Sequence, residues 1–192
     1  MAVRHRAFIL LPQDNPAARF TEYHLAHRRA AATQESDAPP IDLPAAANPY
    51  PSSSLPALEA ACWVRRYRPD RFPAFDLALY RAFFGATRDV GDAAELLGIA
   101  AEVLGGDAGD LAAALRAGSL RPAILAEHRE AVERWGIRGI PAVIVGDAEP
   151  MVGAVPYGHY RAAVLAALGE PLTDPSDPPS GRILQTGTVY FS

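Results

Sequence analysis

The 192-residue chain contains one cysteine, Cys62, and no lysine. A lone cysteine cannot close an internal disulfide, so no covalent staple secures the fold. All 18 basic residues are arginine, a bias that fits the nucleotide composition of the source better than a selected site. No stretch reaches the roughly 20 apolar residues that a membrane span needs. The opening segment has Arg4 and Arg6 ahead of an apolar run, Ala7 to Leu11. That run is shorter than the roughly 7–15 residues of a signal-peptide core, and no small-residue cleavage site follows it. A cytoplasmic location is the expectation, with no membrane partner. The formal charge is −4, from 18 basic and 22 acidic residues. This leaves no electrostatic reason to expect a nucleic-acid partner. The five histidines, His5, His24, His27, His128 and His159, do not form a spaced ligand set. No metal and no cofactor are expected.

What is present is a soluble composition, 49% apolar and 21% charged, with enough length for one domain or a core carrying an insertion. Residues 3–11 read as a strand stopped by Pro12. Residues 17–33 have helical character, with Phe20, His24 and His27 on one face. Residues 34–54 hold Pro39, Pro40, Pro44, Pro49 and Pro51 and read as an extended loop, anchored by Ile41, Leu43 and Tyr50. A helical block follows. Ser54 is placed to cap a helix with Pro56 in its first turn; Leu55, Leu58, Cys62 and Arg65 mark its stripe. The next helix carries Phe72, Phe75, Leu79 and Phe83, with Leu77 and Tyr80 widening that face. Asp92 caps a helix over 93–104, closed by Gly105 and Gly106. A short helix spans Asp110 to Ala117, and a long one Leu120 to Trp135, with His128 packed as a structural side chain. The chain then turns to strands, Ala142 to Val145 and Met151 to Ala154, and to a helix from Pro156 to Leu168. Its apolar stripe is Tyr157, Tyr160, Val164 and Leu168. Residues 169–192 form a tail whose last residues, Gly187 to Ser192, have strand propensity.

The run Gly136-Ile137-Arg138-Gly139-Ile140-Pro141 joins the long helix to the first of these late strands. Gly136 and Gly139 release the chain from the helix. Pro141 stands where a strand begins, a position that costs no ladder hydrogen bond.

With Ala142 to Val145, Met151-Val152-Gly153-Ala154 and Val155-Pro156, this run resembles the C-terminal half of the DsbA-like thioredoxin-fold family. The likeness is to the cytoplasmic branch of polyketide-associated oxidoreductases and 2-hydroxychromene-2-carboxylate isomerases. Leu79 to Phe84, Asp89 to Asp92 and Leu96-Leu97 resemble the helical insertion of that family. The resemblance spans roughly residues 3–168. It implies an α/β, incomplete thioredoxin-like fold with an all-helical insertion. The implied core is 1–33 and 136–168, with 34–54 as a loop and 55–135 as insertion and connecting helix. It also implies a cis Ile140–Pro141 bond facing a substrate, with Gly139, Ile140 and Pro141 as binding residues and Tyr50 and Ser54 on the facing loop.

The family's first strand, its Cys-x-x-Cys or single Ser/Cys, and its first helix have no counterpart in this sequence. A helix N-terminus stabilises a thiolate through its dipole and free N–H groups, and no such cysteine is found. Cys62, between Ala61 and Trp63 in an insertion helix, is read as a small buried hydrophobe; it is the one candidate for a reactive thiol. No catalytic residue is assigned. Three ways to fill the missing central strand are open. The tail returns as a strand, a partner chain supplies one in a homodimer or heteromer, or the sequence is a truncated product. The functional expectation is an oxidoreductase homologue without thiol–disulfide exchange. Alternatives are a non-catalytic protein that binds a small hydrophobic molecule or peptide, or an isomerase-type or glutathione-dependent relative whose nucleophile lies in a missing segment.

Overall fold

The computed structural model describes residues 3–12, 14–34, 39–45, 47–105, 108–170 and 187–191. Its contacts divide the chain into two compact units. One takes residues 1–10 and 123–192 and holds the sheet. The other takes residues 11–122 and is helical.

In the sheet unit, Val3–Ala7 forms β1, Ala142–Val145 β2, Met151–Val152 β3 and Gly187–Phe191 β4. The order is β1-β4-β2-β3. β4 runs parallel to β1, from Val3 opposite Gly187 to Ala7 opposite Phe191. It runs antiparallel to β2, with Ala142 opposite Tyr190 and Val145 opposite Gly187. The central slot that the resemblance leaves empty therefore holds the strand at the far end of the sequence. Residues 171–186, which lead into it, lie outside the described residues.

β1 ends at Ala7 rather than running on to Leu11. Side chains of the last long helix take over its backbone there. α6, Arg121–Arg129, continues as a π-helical turn, Glu130–Arg134. The Ala7 N–H donates to Glu127 Oε2 at 2.6 Å, and the Ile9 N–H donates to His128 Nδ1 at 3.2 Å. Arg6 completes the cluster with an ion pair to Glu127 at 3.2 Å. An open strand edge invites pairing with other chains, and these acceptors take up the N–H groups at the Ala7 end of this one. The core below consists of Phe8, Ala131, Ile137, Ala142 and Ile144, with Val132, Trp135 and Ile140 packed against it. α7, Tyr157–Leu168, buries Arg161 and Leu165. The expected stripe is displaced, and Tyr157 at its start is 67% exposed.

In the helical unit, α1 is Glu22–Gln34, α2 Leu55–Tyr67, α3 Phe72–Tyr80, α4 Ala93–Leu104 and α5 Ala108–Ala117. α2 packs on α3, α4 and α5. Its stripe includes the buried Leu58 and Cys62, as the spacing predicts, and also buries Glu59. Asp92 caps α4 as expected, its carboxylate accepting from Ala94 N at 2.8 Å and Glu95 N at 3.0 Å. The end expected at Gly106 falls on a residue outside the described ones. Ser54 does not cap α2 through its side chain. Instead Ser53 Oγ accepts from Leu55 N, while Ser54 Oγ accepts from Leu11 N, each at 3.2 Å. Two expected anchors are also outside the core, Leu43 and Leu77, each 47% exposed. Pro44 is buried in the loop instead of Leu43. Leu77 lies two residues after the buried Phe75, which turns it toward the outer side of the helix.

Candidate functional site

The approach to Pro141 is built by the end of the long helix. Gly136 has a φ of +63°, a backbone state that glycine enters without steric cost. Ile137 N then donates to Ala131 O at 3.0 Å, closing the helix end as a left-handed cap does. Ile137 is buried, and Arg138, Gly139 and Ile140 pass outward to half-buried or exposed positions. The Ile140–Pro141 peptide is cis. Proline lacks an N–H, so nothing is lost by placing it ahead of the ladder. Its carbonyl accepts from Gly153 N at 2.8 Å, which ties the loop to the end of β3. Gly153 has a φ of +90°, so a side chain there would strain the backbone. Ala142, the next residue, pairs with Val152 on one side and Tyr190 on the other. The proline loop thus stands beside the C-terminal end of β4, at the carboxyl ends of the two parallel strands. Ligands of α/β sheets commonly bind at that end.

Tyr50, Ser54 and Cys62 belong to the helical unit. Ser54 is engaged in local closure with Leu11, through both Oγ and N. Tyr50 joins an aromatic cluster. Its ring stacks on His24 at 4.4 Å and meets Phe20 edge-on at 4.9 Å and Phe83 at 5.8 Å. Burial raises its phenol pKa, with the nearby Arg28 cation opposing. Cys62 is 6% exposed and forms no disulfide. Arg65 Nη2 lies 3.8 Å from its sulfur.

A residue that the sequence reading passed over organises this cluster. Arg28 is 5% exposed. Its guanidinium donates to Asp42 O at 2.9 Å, Phe83 O at 3.0 Å and Phe84 O at 3.4 Å. It lies 4.8 Å from the Phe20 ring, 4.7 Å from Phe83 and 5.3 Å from Phe84, within range for cation–π attraction. Phe83 and Phe84 belong to a π-helical turn, Arg81–Gly85, that follows α3. Burial lowers the Arg28 pKa, while Tyr50 and Asp42 pull it back up. His24 is lowered by burial first, then by the charges of Arg28 and His27. The i, i+4 spacing of Phe20, His24 and Arg28 held the signal. It was obscured by His27, which is exposed and lies against Tyr23 at 4.1 Å.

Among the described residues, no three His, Cys, Asp or Glu side chains converge as a metal site would require. No helix among them is long and apolar enough to cross a membrane.

The model of the DsbA-like thioredoxin domain matches residues 3–164. The chain belongs to that family. The DsbA-like fold is also seen in a solved structure, a candidate protein disulfide isomerase from Nitrosomonas europaea. The two chains are 21% identical, with a TM-score of 0.64 over 79% of this chain and 77% of the other. At that identity the likeness concerns the fold. No functionally curated protein matches the chain. The mixed α/β architecture, its open-edged sheet and its extra helices are those of a thioredoxin-like fold with a helical insertion. Thiol–disulfide exchange by a dithiol centre needs two cysteines that reach each other. These 192 residues contain one, and it is buried. The chain is a DsbA-like homologue without the residues for that exchange.

Proposed function

We propose that this DsbA-like protein binds rather than turns over. In this reading it holds a small hydrophobic molecule or an extended peptide against Gly139, Ile140 and Pro141. The observation that carries the reading is the placement of Pro141 directly ahead of β2, whose first residue, Ala142, pairs with Tyr190 at the carboxyl end of β4. Two further features support it. Ile140 and Pro141 are only half-buried, leaving apolar surface for a ligand. The Pro141 carbonyl is taken by Gly153, so the loop is held in place before any ligand arrives, which lowers the ordering cost of binding. On the strength of the family resemblance, Tyr50 and Ser54 are proposed as binding residues of the helical unit. A cytoplasmic setting and kinship with polyketide-associated members belong to the same proposal.

The test is a titration followed residue by residue in nuclear magnetic resonance. The probes are the hydrophobic dye anilinonaphthalene sulfonate and an unstructured apolar peptide. The reading predicts that one of them shifts the amide signals of Gly139, Ile140, Ala142 and Gly153 first. It also predicts that Ile140→Glu weakens that binding at least tenfold while leaving the remaining spectrum in place. Shifts confined to other regions, or none with either probe, would overturn it.

A further inference from the structure

We propose that β4 is an exchangeable strand and that two copies of this chain complete each other's sheets by trading it. Every backbone pair that β4 makes is remote in sequence. Five residues pair with Val3–Ala7 and four with Ala142–Val145. None involves α7, the element that precedes it. The connection is residues 171–186, with Pro171, Pro175, Pro178 and Pro179 among them. A chain of that length can span up to about 50 Å when extended, at roughly 3.3–3.6 Å per residue. Its length therefore does not dictate which copy receives the strand.

A strand placed in a second copy makes the same hydrogen bonds as one placed in its own, which is why swapping is a low-cost route to dimers. The choice rests on effective concentration, on the order of millimolar for a short flexible tether and lower for a long one. Exchange is therefore favoured when β4 is released and re-formed in concentrated protein. The occupant is a second copy because the segment whose register satisfies β1 and β2 together is Gly187–Phe191 itself. Each copy carries both that strand and the slot for it.

The experiment uses the full chain. It is unfolded and refolded at low and at near-millimolar concentration, and the mass is read by light scattering after size exclusion. The proposal predicts a monomer from dilute refolding and a dimer of doubled mass from concentrated refolding. Two full-length variants then identify the interface. Val189→Pro breaks the donated strand and leaves the slot intact. Val143→Pro breaks the slot and leaves the strand intact. Refolded together, they are predicted to give a heterodimer with native-like circular dichroism in about half the material, where neither alone folds. Failure of the mixture to recover any folded dimer would overturn the proposal. So would a dimer that forms equally well from Val189→Pro alone, since that interface would not need β4. Recovery of Val189→Pro by an unrelated apolar peptide of equal length would show that the slot takes any extended chain, and would also overturn the assignment to a second copy.

Discussion

Arg28 shows how one residue can hold several segments of the helical unit at once. Its three carbonyl acceptors come from the loop at Asp42 and the π-helical turn at Phe83 and Phe84. A π-turn leaves carbonyls without their usual helical donors, and a planar guanidinium can reach several together. Replacing it with methionine keeps the bulk and removes the donors. The three acceptors are only part-buried, and Phe84 O keeps a second donor, Asp42 N at 2.7 Å, so Arg28→Met is expected to lower the urea-unfolding free energy by about 1–2 kcal/mol. Arg28→Lys is expected to recover little of it, because an ammonium cannot match that fork. Glu59 gives a second case. It is 3% exposed, and Arg121 Nε lies 2.9 Å from its Oε1. Arg121→Ala strands a buried carboxylate, and a loss of about 1–3 kcal/mol is expected in the same measurement, held below the cost of a fully buried pair by the exposure of Arg121. His24 adds a pH dependence. Its folded pKa is below the ordinary 6.5, so the unfolded chain takes up the proton first. Its Nδ1 accepts from Thr21 N at 3.1 Å, and protonation there removes the acceptor. Stability is therefore expected to be full well above the ordinary value and to fall as pH drops through it. His24→Gln should flatten that part of a urea-midpoint profile taken between about pH 8 and about pH 5.

At the scale of elements, local chemistry made much of the helical unit legible. Asp92 before an apolar stripe marks the start of α4, and its carboxylate makes both cap bonds. Asp92→Ala is expected to cost about 1 kcal/mol, seen as a lower thermal midpoint. β2 was legible to the residue, because a proline opens it and Gly146 follows it. The displaced features share a cause, in that partners distant in sequence decide them. β1 stops where Glu127 and His128 take its N–H groups. Ser54 stays the residue ahead of α2, but its hydroxyl accepts from Leu11 N, and the Leu55 N–H goes to Ser53 Oγ instead. The stripe of α7 follows what packs on it, and its tyrosine pattern gave no sign of Arg161 being buried. Arg28 was missed for a related reason. A charged residue beside two histidines reads as solvated surface until the facing carbonyls are known.

The whole molecule poses a different problem from its parts. Its sequence begins with the strand that forms one sheet edge and ends with the strand that lies at the sheet's centre. The carbonyl ends of β1 and β4 come out together next to Pro141, where the family resemblance locates substrate. That end of the sheet was legible from Gly139-Ile140-Pro141 taken together with the family resemblance. The strand beside it was legible as one of three ways to fill the central slot, the returning tail Gly187 to Ser192; propensity did not choose among the three, and the pairing of Gly187–Phe191 with both β1 and β2 does. The central claim is that the fold and its proline loop are kept without the dithiol chemistry. The direct measurement is the rate at which the full chain catalyses reduction of insulin disulfides by glutathione. The account predicts a rate equal to that of buffer and unchanged in Cys62→Ser. Turnover above buffer that disappears in Cys62→Ser would contradict it.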